Sequence, residues 1–538
     1  MPKILYDRPI AIMVIVVLAM LLFGNETIPV SIMEARNFIT AREMVDDGNW
    51  LLTTMNGEAR YEKPPLPTWL TALSGLLFGM KSITALRLPA IIFIAIIGIY
   101  IFLLSKKLLG NTAHSICNAL IGISSFYVIG IVFEAPWDIF AHGFMLMGIY
   151  YLTVLYYTDT NRLRFGLLAG LFMGCSFLSK GPIPMYALFL PFLISFGIIY
   201  RFKGFKRKWP ILILAFVVAI MIGGWWFVYV RIMDPETFVS IAERETNNWH
   251  SYNTKPIYYY WSFFAQSGIW TIPAFIALLY PYLKKRVSNL KAYQFSLLWT
   301  VLAVLLLSLV PEKKSRYLMP VLIPMAINTG FYIEYLIRSF KELKEKKTLL
   351  PVHFNFGLIG IVALGAPVAL FFLLGESLKK HWIGFAFSSL IMILIGVAII
   401  LFLKQKNFRN VFLLTVAFFV STFMFVLPVL KNSVGKPISP LTITNHENLT
   451  VYGMDYVSPE IIWYYGDIIK PLKMADGSYS FPNEKQFGII GSGLNEKDRH
   501  ALQKRYHIEE KASFDLNPTI GSRHNDRLIG EFYILTEL

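Results

Sequence analysis

The chain has 538 residues, 55% of them hydrophobic and only 16% charged. Soluble globular domains carry about 25% charged residues, so an ordinary soluble globule is excluded and an integral membrane protein is left as the class. The net charge of +16 would suit a nucleic-acid binder only if Lys and Arg covered one soluble face. They lie instead in short loops between apolar runs, as membrane proteins distribute them, and no nucleic-acid partner is expected.

The N-terminal stretch MPKILYDRP, apolar onward to Phe23, resembles a signal peptide but lacks a small-residue cleavage site, and reads as the first membrane helix. A bilayer crossing needs about 20 apolar residues. Thirteen segments meet that test: 9–24, 86–104, 115–133, 138–157, 165–179, 183–200, 209–230, 262–283, 294–310, 317–337, 356–375, 382–403 and 410–430. Every second loop between them is basic, among them Lys106 and Lys107, Arg162 and Arg164, and Lys284, Lys285 and Arg286. The positive-inside rule then puts the N-terminus in the cytoplasm and residues 431–538 outside. Cys117 and Cys175 fall inside apolar runs with no CxxC spacing, so no disulfide is expected.

The expected architecture is a polytopic α-helical membrane domain, residues 1–430, with large outer-face loops at 25–85 and 231–261, followed by a small soluble α/β domain at 431–538. In the first loop, EARNFITAREMVDDGNW predicts a helix ending at Gly48. A second helix should begin after Pro64, Pro65 and Pro67 and carry Trp69, Leu70, Leu73 and Leu77. Both read as helices lying on the membrane surface. The tail predicts strands at LTVYGMD, KQFGIIGS, HIEEKASFD and RLIGEFYILTE, with helices at SPEIIWYYGDII and NEKDRHALQKRY. It has no Gly-rich phosphate loop and no His, Cys or Asp cluster, which gives it an accessory role.

The chemistry-bearing residues gather at the expected outer face. The acids are Glu34, Glu62, Glu134, Asp138, Glu243 and Glu245; the cations are Arg36, Lys63, Lys180, Arg244, Lys313, Lys314 and Arg316. Acids able to take a proton, opposite cations able to hold a phosphate, are what transfer from a phosphate-linked donor requires. Composition alone does not select that reaction.

The ordered motifs MEARNFITAREMVDDGNW, YEKPPLPTW, WDIFAHGF, LSKGP, GWWFVYV and RYLMPVLIP resemble the bacterial aminoarabinose (lipid A) transferases and the wider protein-mannosyltransferase family of GT-C glycosyltransferases. The resemblance covers nearly the whole chain. It implies transfer of a sugar from a polyprenyl-phosphate donor, without a nucleotide, to a lipid or protein acceptor at the periplasmic face of the bacterial inner membrane. It further implies Glu34 or Asp138 as the base that activates the acceptor. Lys63, Arg36, Lys180, Arg316 and Tyr317 then meet the donor phosphate, with inversion at the sugar's anomeric carbon. Glu62 and His250, on separate loops, are residue types that bind zinc, and the family's Glu and His at these positions imply a divalent metal near that phosphate. One departure stands out: the family has Asp-Glu where this chain has Met33-Glu34, and Asn37 replaces a Tyr.

Each assignment has a plainer alternative. Asp138 opens an apolar helix and could be a cap, and Glu34 could be a solvated acid at a helix start. Lys63 could snorkel at the interface, Lys180 could balance a helix C-terminus, and Glu62 and His250 could be surface residues. A lipid-linked sugar flippase or transporter is the competing functional class, although no internal repeat of the transporter kind is visible.

Overall fold

The computed structural model describes residues 3–434, 449–474, 476–517 and 525–538, with the side chains of 3, 249–250 and 431–434 outside that description. The chain forms two compact units, one of Met1–Ile28 with Tyr61–Val429 and one of Pro29–Arg60 with Leu430–Leu538.

The first unit is helical. Among the described residues, nine helical stretches are long and apolar enough to cross a membrane, or ten if Thr112–Ile123 and Phe126–Glu134 form one bent span. The 42° bend between those two falls at Ser124 and Ser125, whose hydroxyls donate back to the carbonyls of Leu120 and Ile121. Such back-bonding favours helix bending. The long stretch Lys346–Lys404 is two helices, Lys346–Leu374 and Trp382–Lys404, joined by a tight turn at Gly375–His381.

Three of the thirteen expected spans are not single helices of spanning length: 115–133, bent into Thr112–Ile123 and Phe126–Glu134, 183–200 and 262–283. Residues 183–200 yield Met185–Tyr200, under 18 residues, opened by a widened π-type turn at Met185–Phe189 that follows Pro182 and Pro184. Residues 262–283 break into Phe263–Trp270, Thr271–Leu278 and Tyr280–Leu283. Gly268 takes a φ of 66°, open to glycine at little cost, and Pro281 lies just after the second break, in the first turn of the last piece.

Helices associate in lipid chiefly through close van der Waals packing, which small residues permit. Helix Arg162–Lys180 supplies them: Gly166, Gly170 and Gly174 face Ile211, Ala215 and Ile222 of helix Phe205–Met233, and a Cβ on Gly174 would come within 2.7 Å of Ile222. On its other side the same helix packs on Pro136–Tyr157. The connection between those two helices is only residues 158–161, so they run antiparallel. The first turn of one therefore stands beside the last turn of the other.

The second unit joins residues 29–60 to the tail. Helix Ile32–Asp46 starts at a capping box made by Ser31 and Glu34. It is followed by a hairpin of β1 (Thr54–Met55) and β2 (Glu58–Ala59), turned by Asn56-Gly57 with φ of 57° and 77°, the pairing a type I′ turn favours. Glu43 accepts from Thr54 Oγ1 and the Asn56 amide, each at 2.6 Å. The Asn56 side chain in turn bonds the backbone of Ile469 through both its oxygen and its nitrogen. Phe38 packs edge-on against Trp463 at 5.2 Å. Helix Ile32–Asp46 is thus not the surface-lying helix expected, since ten of its side chains are buried. Helix Leu66–Phe78 does keep an exposed apolar face of Leu73, Leu76, Leu77 and Phe78.

The tail contains β3 (Val451–Gly453), β4 (Lys470–Pro471), β5 (Gln486–Gly491), β6 (Tyr506–Asp515) and β7 (Ile529–Glu537), in sheet order β4-β3-β5-β7-β6. β3 is parallel to β4 and β5, and β7 is antiparallel to β5 and β6. Helices Pro459–Tyr465 and Glu496–Gln503 complete the α/β pattern. The first is shorter than the expected 458–469 because Gly466 adopts a left-handed cap at φ 92°, which releases the next residues into β4.

Candidate active site

The antiparallel hairpin of helices Pro136–Tyr157 and Arg162–Lys180 brings together Asp138, in a first turn, and Lys180, in a last turn. They form a close ion pair with side chains 4% and 7% exposed. His142, one turn after Asp138, places Nε2 at 3.8 Å from the same carboxylate oxygen and is buried as well; its Nδ1 is buried without a hydrogen-bond partner. Asp138 therefore does not cap its helix: no side-chain cap bond is present there, and the carboxylate is committed to Lys180. Buried charges of this kind are tolerated only when paired.

The Lys180 ammonium also stands 5.3 Å from the centre of the Tyr317 ring. Tyr317 belongs to the short turn Ser315–Leu318 that leads into helix Met319–Ser339, and its hydroxyl donates to Glu312 at 3.0 Å. Glu312 is also paired with Lys314 at 2.6 Å. Arg316 flanks the Tyr317 ring at 5.9 Å, and its guanidinium has no ion-pair partner among the described residues. The turn is fixed along the 231–261 loop: the Lys313 amide donates to the Asn253 carbonyl and the Lys255 amide to the Pro311 carbonyl. Gln266 adds a bond to the Ser315 carbonyl at 3.0 Å. Burial lowers the affinity of the Lys313 ammonium for its proton, and its Nζ is spent on the carbonyls of Lys255 and Val310.

A second cluster in the same unit is built on Tyr61, Glu62 and Lys63. The Tyr61 hydroxyl donates to Asp234 at 2.9 Å, the N-cap residue of helix Pro235–Ser251. Burial, with the bond to Asp234, pushes the Tyr61 phenol up to about 12, whereas hydrogen bonds from Thr237 and Tyr61 hold the Asp234 carboxyl below the ordinary range. Glu62 pairs with Arg244 at 2.6 Å and Lys63 with Glu245 at 3.9 Å. The remaining Glu62 oxygen, Oε2, is buried without a hydrogen bond.

Glu34 and Arg36 lie in the other compact unit. Glu34 is fully buried, not solvated, and its carboxylate accepts from the Ser31 amide at 3.1 Å. The Arg36 carbonyl accepts from the Arg60 guanidinium at 2.8 Å. His250 falls in helix Pro235–Ser251, but its side chain lies outside the described residues.

Sequence reasoning gave no role to His142, Glu312 or Asp234. His142 had a legible signal, the four-residue spacing from Asp138 on a helix. The Glu312–Tyr317 bond and the Tyr61–Asp234 bond depend on tertiary placement that no spacing reveals.

Residues 62–227 match the family described as dolichyl-phosphate-mannose-protein mannosyltransferase, a stretch that carries Glu62, Lys63, Asp138, His142 and Lys180. The undecaprenyl phosphate-alpha-4-amino-4-deoxy-L-arabinose arabinosyl transferase of Shewanella sediminis is 26% identical over 320 residues, 55% of this chain and 54% of its own. A second enzyme of that name from Proteus mirabilis is 25% identical over 340 residues, 62% of this chain and 60% of its own. The chain thus spans less than two thirds of the length of these curated relatives. Among solved structures, ArnT of Cupriavidus metallidurans bound to undecaprenyl phosphate superposes with a TM-score of 0.73 at 16% identity, covering 98% of both chains. The oligosaccharyltransferase of Archaeoglobus fulgidus gives 0.50 at 10% identity over 95% of this chain and 69% of its own. The matched family stretch, the curated relatives and the shared fold make this a multi-pass membrane protein of the GT-C fold, similar to the aminoarabinose transferases.

Proposed function

We propose that the chain is an integral-membrane glycosyltransferase that moves a sugar from a polyprenyl-phosphate donor to a lipid A-like or protein acceptor. The observation that carries this reading is the convergence of Asp138, Lys180, Tyr317 and Arg316 at one end of the helical unit. The opposite ends of those helices carry basic loops such as Arg162 and Arg164. By the positive-inside rule the cluster faces the periplasm, the N-terminus lies in the cytoplasm, and the C-terminal α/β region is a periplasmic accessory domain. The family match and the names of the curated relatives favour a transferase over a transporter, and those names favour an undecaprenyl-phosphate aminoarabinose donor.

The reaction is a direct displacement. The acceptor oxygen bonds to the anomeric carbon as that carbon's bond to the phosphate oxygen breaks, and the acceptor proton passes to Glu34 or Asp138. Charge accumulates on the departing polyprenyl phosphate, where preorganised cations stabilise it most. Arg316 and Lys63 are the leading candidates, with Arg36 as a third. Lys180 acts there through its pair with Asp138, and Tyr317 reaches the phosphate once its hydroxyl leaves Glu312. Glu62 Oε2, with His250, is the pair that would hold a divalent cation, which when bound would supply further positive charge beside the phosphate. The prenyl chain would lie between spans in the apolar environment of the membrane lipids. The test is mass spectrometry of lipid A and envelope glycans from a deletion strain. Loss of one sugar modification, restored by the wild-type gene and not by Asp138→Asn, is the expected result; an unchanged glycan and lipid A profile would contradict it.

A further inference from the structure

We infer that Trp463 and Asn56 are positioning residues for Glu34, through which the C-terminal region acts on the reaction; the inference rests on Glu34 as the base in the reading above. The helix that carries Glu34 belongs to the same compact unit as the tail, residues 29–60 with 430–538. The place of its carboxylate within that unit is therefore set by what the tail touches.

Helix Ile32–Asp46 is held at three points. At its start the capping box of Ser31 and Glu34 fixes the first turn. One turn on, Phe38 meets the Trp463 ring edge-on at 5.2 Å, and both side chains are buried; Trp463 stands in the tail helix Pro459–Tyr465. Residues four apart share a helix face, and a helical side chain leans toward the N-terminus, over the preceding turn. The Phe38 ring thus covers the turn that carries Glu34, and Trp463 backs that ring. Near the other end, Glu43 accepts from the Asn56 amide at 2.6 Å, and the Asn56 side chain bonds the Ile469 backbone at 2.8 and 2.9 Å.

The capping box ties the Glu34 carboxylate to its own helix, so a shift or rotation of the helix carries the carboxylate with it. Edge-to-face ring pairs are directional, and Trp463 restrains the face on which Glu34 lies. Removing its ring leaves a void beside Phe38 into which the surroundings relax only partly. A reacting group misplaced by about 1 Å can cost about a hundredfold in rate.

The experiment follows transfer of labelled sugar from undecaprenyl-phosphate aminoarabinose to lipid A by the full-length protein in nanodiscs. The variants are Trp463→Ala, Trp463→Phe, Asn56→Gly and Glu34→Gln, with Glu34→Gln also combined with Trp463→Ala and with Asn56→Gly. Asn56→Gly removes both side-chain bonds to Ile469, while glycine keeps the left-handed turn at φ 57° and the amide that Glu43 accepts from; it carries the test if Trp463→Ala does not fold. Trp463→Ala should lower kcat about ten- to a hundredfold, and Asn56→Gly should lower it in the same direction. Trp463→Phe, which keeps a ring against Phe38, should retain most of the turnover. In the Glu34→Gln background neither change should cost anything further, because the loss acts through Glu34. An equal fold-loss in that background, or wild-type kcat in Asn56→Gly or in folded Trp463→Ala, would overturn the assignment. Wild-type turnover in Glu34→Gln alone would instead remove Glu34 as the base, a separate failure read from that single variant.

Discussion

The Asp138–Lys180 pair couples stability and catalysis in a way that substitution can separate. With side chains only 4% and 7% exposed, each charge depends on the other for compensation. Removing one partner of a buried pair costs about 3 to 5 kcal/mol, whereas replacing both with neutral side chains is often close to neutral. Asp138→Asn and Lys180→Met should therefore each lower the thermal unfolding midpoint in nanodiscs, and the double variant should recover most of the loss. Turnover should not follow stability. Asp138→Asn should reduce it at least about a hundredfold, as for loss of a general base, and the double variant should stay as impaired as the single one. Additive destabilisation in the double variant would show that the two charges are not coupled. Near-normal turnover in Asp138→Asn would remove Asp138 as the base.

Glu34→Gln should also lower turnover at least about a hundredfold while leaving thermal stability nearly unchanged, because Gln at this position preserves the capping box; a stability loss matching the activity loss would make Glu34 structural. Lys63→Ala should weaken polyprenyl-phosphate binding about tenfold or more, the value of a charged hydrogen bond, and Lys346→Ala should not, which equilibrium binding will decide. Arg87 is 1% exposed, stacks 4.8 Å from the Phe133 ring and donates to the carbonyls of Asn25 and Ile28, so Arg87→Met should cost about 1 to 3 kcal/mol for each carbonyl left unsatisfied, read as a lowered unfolding midpoint. At Gly330 a Cβ would overlap the Asn118 side chain, and Gly330→Ala should destabilise by about 1 to 3 kcal/mol through overpacking; wild-type stability would mean that Asn118 repacks freely.

Hydropathy made most of the membrane helices legible, because a run of apolar residues is the physical requirement for crossing a bilayer. It could not see the break at Gly268 or the widened turn at Met185–Phe189, since a sum over residues is blind to one dihedral angle. In the tail, alternation locates β3, β5, β6 and β7, while apolar periodicity alone carries the helix at 459 past its end, because the stop is set by the left-handed cap at Gly466. The Asn56-Gly57 hairpin was legible in principle and was not among the expected elements. The residues of the candidate site were visible as types in ordered motifs; their partners were not. Lys180 meets Asp138 across 42 positions only because two helices fold back on each other. Lys63 and Glu62 face Glu245 and Arg244 only because a distant helix returns to their turn.

Catalytic transfer from a prenyl-linked donor is decided by following both products of the reaction. Purified protein in lipid nanodiscs is incubated with an acceptor lipid and a polyprenyl-phosphate sugar labelled in the sugar, and both products are separated and counted. Free polyprenyl phosphate should be released only when acceptor is present, with label appearing on the acceptor in equal amount and both lost in Asp138→Asn. Intact donor recovered from the opposite leaflet of sealed vesicles, with no label on any lipid or protein acceptor, would contradict it.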